Sequence, residues 1–198
     1  MTDEAQAPGW DSIEAAFGAV YGEAGREHRA PQLAQQPPAA GGVLNGISAY
    51  RARDYWHFVT FGLTDLFVRT SGDHRDPSGF GHELTLITPR GDGPPQWAFD
   101  LLLGTARVCV THSRPFHAGA RLAPGAPVDG ASSKLLALGL REDPVVTPSD
   151  FPFGRYVLLQ AVGVTDMEYR LMQRAGTLTV LDALARRDPL LRTDPERG

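Results

Sequence analysis

The 198-residue chain is 42% hydrophobic and 21% charged, with 23 acidic against 19 basic residues for a net charge of −4. Such a balance belongs to an ordinary globular domain able to bury its own core, and it offers no general attraction to nucleic-acid phosphates or anionic membranes. The single cysteine, Cys109, excludes an internal disulfide and a multi-cysteine metal knuckle, and fits a reducing compartment.

Residues 1–8 read as a flexible tail ahead of one domain, 9–198. Met1 to Glu4 carry no basic patch and no apolar run follows, so neither a secretory nor a lipidation signal is expected. The stretch Tyr156 to Val164 is less than half of the about 20 residues that span a bilayer. The expected location is the cytoplasm.

Trp10 to Tyr21 is expected to be a helix, with Asp11 as cap and Glu14 completing a capping box. Ile13, Ala16, Phe17, Val20 and Tyr21 fall on one helical stripe that would pack on a sheet. From Arg26 to Gly46 periodicity is lost and Pro and Gly gather, which predicts a surface loop. Ile47 to Tyr50 suits a short strand.

Two aromatic, glycine-punctuated segments follow, Tyr55 to Leu66 and Ser78 to Leu86, and read as two strands joined by a polar linker that includes Asp73 to Pro77. Pro94 and Pro95 introduce a helix from Gln96 to Val110 with Leu101, Leu102, Thr105, Val108 and Cys109 inward. Arg114 to Gly130 is loop with a short strand at Arg121 and Leu122. Lys134 to Gly139 is a strand that Arg141 to Pro144 stops.

Tyr156 to Val164 is apolar on both alternating faces, the mark of a central strand covered on two sides. Thr165 and Glu168 form a capping box that launches a helix to about Arg174. Thr177 starts a last helix with Leu178, Leu181, Leu184 and Ala185 inward. Together these elements predict a single α+β domain, its central sheet mixed, largely antiparallel and flanked by helices.

No catalytic motif accompanies these elements. His82-Glu83 begins like a zinc-protease helix motif, but Leu86 stands where the second histidine belongs and the segment is strand-like. Gly79 and Gly81 do not extend into a dinucleotide fingerprint, and there is no phosphate-binding loop or nucleophile elbow. Cys109 and His112 could share a helix face, although a lone cysteine in an apolar stripe is usually a core residue. No cofactor, metal or catalytic residue is assigned. One alternative stays open: a metal-dependent or acid-base hydrolase drawing on His57, His82, Glu83 and His117. A second is a scaffold that self-associates through a sheet edge.

The ordered blocks Gly46-Ile47-Ser48-Ala49-Tyr50, Trp56 to Leu66, Ser78 to Thr85, Pro95-Gln96-Trp97, Ala106-Arg107-Val108, Glu142-Asp143-Pro144, Leu158 to Thr165 and Pro189 to Asp194 resemble the suppressor of fused domain family, in its single-domain bacterial form. The resemblance implies a non-enzymatic module that binds a protein or extended peptide. In the animal regulator a second domain follows and the two hold a short peptide by strand addition. Bacterial single-domain relatives imply an immunity protein that blocks a cognate toxin, or a regulatory protein, by steric binding. Candidate partner-binding residues near loops are Tyr50, His82, Arg107, Phe116, His117 and Asp143.

Three departures stand out against the family pattern. Val108 and His82 occupy positions usually aromatic, and Ala118-Gly119-Ala120 lacks the acidic residue that the animal form offers to its peptide. The resemblance therefore implies a retained scaffold with a changed partner.

Overall fold

A seven-stranded sheet runs through the computed structural model, which describes residues 6–22, 25–30, 44–68, 76–148 and 152–197. The strands are β1 (Arg26–Arg29), β2 (Gly46–Arg51), β3 (Tyr55–Phe61), β4 (His82–Pro89), β5 (Arg121–Leu122), β6 (Leu135–Glu142) and β7 (Val157–Thr165). Their spatial order is β1-β2-β3-β4-β7-β6-β5. Every neighbouring pair is antiparallel except β4 with β7. The two aromatic segments are thus adjacent strands in the middle of a mixed sheet, as their composition predicts.

Among the described residues four helices cover the sheet: α1 (Pro8–Tyr21), α2 (Gln96–His112), α3 (Asp166–Ala175) and α4 (Thr177–Ala185). Strand alternation divides the core into two layers. Trp56 and Phe58 of β3, Leu84 and Leu86 of β4, and Leu159 and Ala161 of β7 pack with Leu102 and Cys109 of α2. On the other layer, Val59 and Phe61 of β3 and Leu158 of β7 meet Ile13 and Phe17 of α1. Val162 and Val164 meet Met172 of α3 and Leu181 of α4. A fully buried side chain such as Phe17 contributes about 1.5–3 kcal/mol, so α1 is held by its packed face more than by its ends.

Its start bears this out. Pro8 opens the helix, Ala7 is the N-cap without a side-chain bond, and Asp11 lies in the first turn, so the expected capping box is absent. Glu14 is used elsewhere: it accepts from Trp10 Nε1 at 2.7 Å and pairs with Arg26. Around the start of α1, Gln6 O accepts from Val68 N and Gly9 N donates to Leu66 O. At α3 the expected capping box is present, with Thr165 and Glu168 bonding reciprocally.

Other expectations are corrected in detail. Arg26 to Arg29, read as loop, is an edge strand paired with β2; the remainder of that predicted loop from 31 to 43 lies outside the described residues, as do 69 to 75 of the linker between the aromatic segments. Arg-Glu-His-Arg carries no apolar alternation; backbone pairing with β2 recruits it, helped by side-chain contacts such as His28 with Ser48 and Trp10 and Arg29 over the Phe99 ring. Val20, Val108 and Leu178 were expected to face inward and are exposed, since each helix touches the sheet along a narrower stripe than its apolar residues cover. β6 runs from Leu135 to Glu142, past the expected end at Gly139 and through the first two residues of the expected Arg141 to Pro144 stop.

Candidate functional site

The six residues picked from the sequence separate into two neighbourhoods. Tyr50 and Asp143 lie on the α1 side. Tyr50 stacks on Phe17 with ring centroids 4.9 Å apart and is paired in register with His57. Asp143 Oδ2 lies 2.9 Å from His57 Nε2 and accepts from Thr85 Oγ1 at 2.5 Å, while Oδ1 accepts from the backbone N–H groups of Val145 and Val146 at 2.9 Å. His57 Nδ1 in turn meets Tyr21 Oη at 2.7 Å. Burial would raise the Asp143 pKa, but His57, the Thr85 hydroxyl and the Val146 N–H outweigh it and hold the carboxyl below its usual range.

This Tyr21–His57–Asp143–Thr85 chain is sealed beneath α1. The His57 and Asp143 side chains are 0% and 1% exposed and Tyr50 is 3% exposed, so these side chains are engaged inside the fold. They clamp α1, β3, β4 and the segment after β6 together. Sequence reasoning missed the chain because its members are far apart in the sequence.

His82 is likewise buried, at the start of β4. Its Nδ1–H donates to Phe80 O at 3.1 Å, its ring lies 5.7 Å from that of Phe116, and Nε2 has no hydrogen-bond partner among the described residues. Burial pushes its pKa down to about 4. Next to it Glu83 is fully buried and takes four donors: Thr60 Oγ1 at 2.6 Å, the N–H groups of Gly62 and Thr64 at 2.9 Å, and Thr64 Oγ1 at 2.8 Å. Burial pushes its pKa up to about 7 in spite of those bonds. Glu83 therefore ties the turn after β3 to β4.

The four groups considered for a hydrolase have separate partners. His57 bonds Asp143, His82 faces Phe116, Glu83 is saturated by the 60–64 turn, and exposed His117 bonds Ala118 O at 2.9 Å. Among the described residues no three His, Cys, Asp or Glu side chains converge as metal ligands. Cys109 is buried, and desolvation pushes its thiol up to about 12, far from a reactive thiolate. No helix among the described residues is long and apolar enough to cross a membrane.

The open surface is at the other end of the sheet. Among the described residues two-residue β5 is the last strand of the order, paired on one side only, with β6. Two cavities flank it. One, of about 470 Å³, lies against α2 and is walled by Trp97, Leu101, Val108, Leu122, Pro124 and Val128. The second, of about 890 Å³, is lined by Val108, His112, Phe116, His117, Arg121 and Tyr169, among others. Val108, Arg121 and Leu122 line both, so the cavities adjoin, and the two together make up the depression around β5. Of the six sequence candidates, Phe116 and His117 line it; Arg107 is half-buried on α2 one residue from Val108 and makes an interaction of its own.

Residues 43–198 match a family model described as suppressor of fused protein. The human and mouse proteins named suppressor of fused homolog are each 34% identical over 160 residues, covering 73% of this chain and 32% of the relative. The chain thus spans about a third of the length of these curated relatives. Among solved structures, one from the Sufu–Fu complex has a TM-score of 0.84 at 27% identity, covering 98% of this chain and 92% of that one. Drosophila suppressor of fused has a TM-score of 0.84 at 26% identity over all of this chain and 53% of that one. A suppressor of fused homolog from Neisseria gonorrhoeae FA 1090 shares the fold, with a TM-score of 0.61 at 14% identity and coverage of 95% and 94%.

Proposed function

The chain belongs to the suppressor of fused family, and from that premise we propose that it is a non-catalytic protein-binding module whose docking surface is the depression around β5. The observation that carries this reading is the coincidence of a sheet edge, β5, that is terminal among the described residues with two adjoining cavities, one walled mainly by apolar side chains. A terminal strand offers unsatisfied backbone N–H and C=O groups to an extended segment, and the neighbouring walls take its alternate side chains. Exposed Val108, on the wall common to both cavities, is the apolar anchor for such a segment. That a relative was solved in the Sufu–Fu complex supports a protein as the occupant.

The finer role is blockade of a toxin or regulatory protein by occupying its surface. Such inhibition needs a complementary interface of about 1,600 Å² in total and no reactive group. It is consistent with the buried, structurally engaged histidines and carboxylates on the sheet. Co-expression with the product of the adjacent reading frame tests it: co-purification and rescue of growth are expected. A neighbour that is neither bound nor neutralised overturns the blockade role.

A further inference from the structure

We propose that the partner segment seated along β5 is acidic, with carboxylate side chains directed into the part of the depression beyond Phe116; this rests on the binding-module reading and adds the chemistry of the occupant. His112, Arg114, His117 and Arg121 all line that part, and no Asp or Glu does. All four are exposed. Concentrating four basic side chains in one depression is unexpected in a chain whose net charge is −4.

Among the described residues some arginines have a carboxylate partner within the chain and others do not. Arg26, Arg29, Arg141, Arg155, Arg170, Arg192 and Arg197 each have a carboxylate partner within the chain. Among the described residues neither Arg114 nor Arg121 has one. His112 sits in the last turn of α2, and the two arginines are the permanently charged members of the group. Arg121 lies on β5 itself, so a strand added along that edge puts its nearest same-face side chains beside the guanidinium.

Apolar surface lies beside the charge. Val108, Phe116 and Tyr169 wall the basic part, and the adjoining cavity is predominantly apolar. Asp100 and Asp129 line only that adjoining cavity; Asp129 is engaged by the backbone N–H groups of Ala131, Ser132 and Ser133, and Asp100 accepts from Gln96. The complementary ligand is therefore an extended segment that alternates apolar and carboxylate side chains, its acidic end over Arg114 and Arg121. Arginine forks pair with carboxylates bidentately, which gives register as well as attraction.

Fluorescence anisotropy with three labelled peptides tests this: one of alternating Glu and Leu, and matched peptides with Gln or Lys in place of Glu. The Glu peptide is expected to bind, to lose at least about tenfold in affinity between about 0.05 and 0.3 M salt, and to exceed the Gln peptide by about tenfold. Arg114→Ala combined with Arg121→Ala should remove that preference while leaving the melting temperature unchanged. No binding of the Glu peptide, equal binding of the Gln peptide, or tighter binding of a single-stranded oligonucleotide overturns the proposal. A cognate protein that still binds the double variant at wild-type strength also overturns it while leaving the binding-module reading intact; absence of any cognate complex defeats that reading instead.

Discussion

His57 Nε2 lies 2.9 Å from Asp143 Oδ2 across 86 positions of sequence, with both side chains shut away from solvent. The pair fixes the segment after β6 to the centre of the sheet, and Tyr21 and Thr85 extend it to α1 and β4. Asp143→Ala strands a buried histidine, a hydroxyl and two backbone N–H groups, and is expected to cost about 3–5 kcal/mol. Asp143→Asn keeps an acceptor and should cost less, about 1–3 kcal/mol. Denaturant unfolding measures both. The folded pKa of Asp143 is depressed, so its stabilisation is complete above the unfolded carboxyl value and is lost as pH falls below it through the folded one.

His82 and Glu83 are neighbours with opposed titrations. Glu83 rises from 4.5 to about 7, so the folded state holds the extra proton and this group's contribution falls as pH rises through that interval. His82 drops from 6.5 to about 4, so the unfolded state holds the extra proton and its contribution grows as pH rises through its interval. Between pH 4.5 and 6.5 the two slopes oppose each other. Glu83→Gln should leave a stability that climbs with pH there, and His82→Leu one that declines. Urea unfolding at several pH values reads both; parallel profiles for the two variants would contradict these assignments.

The glycines of Ser78-Gly79-Phe80-Gly81-His82 are required by backbone geometry. Gly79 has φ +53°, and a Cβ there would meet Leu63 O at 2.6 Å; Gly81 has φ +75°, and a Cβ would meet Pro77 Cβ at 2.9 Å. Gly79→Ala is expected to cost about 2–3 kcal/mol, because strain and a backbone clash add. Gly104→Ala, on α2 with open space around it, should stabilise by up to about 1 kcal/mol. Thermal melts of the two variants should shift in opposite directions.

Where a local rule dominates, the sequence is readable. Thr165 with Glu168 announces α3, apolar residues on both faces of Val157 to Val164 announce a central strand, and Arg121 with Leu122 marks β5. Strand β1 is not readable, because Arg26 to Arg29 is polar and owes its conformation to pairing with β2. Val108 has a plausible inward spacing yet faces out, since the contact surface of α2 depends on strands distant in sequence. The same applies to the site: Phe116 and His117 could be picked from a loop, whereas Arg114, Arg121 and Tyr169 join them only once β5, α2 and α3 have been brought together.

Binding through the depression beside β5 is tested most directly by isothermal titration with the product of the adjacent reading frame, using wild type and Val108→Asp. Val108 is 43% exposed on the shared wall, so the substitution should leave stability within about 0.5 kcal/mol and weaken binding at least about tenfold. Saturable binding by wild type and its loss in a folded Val108→Asp variant is the expected result. No binding by wild type, or undiminished binding by the variant, would contradict it.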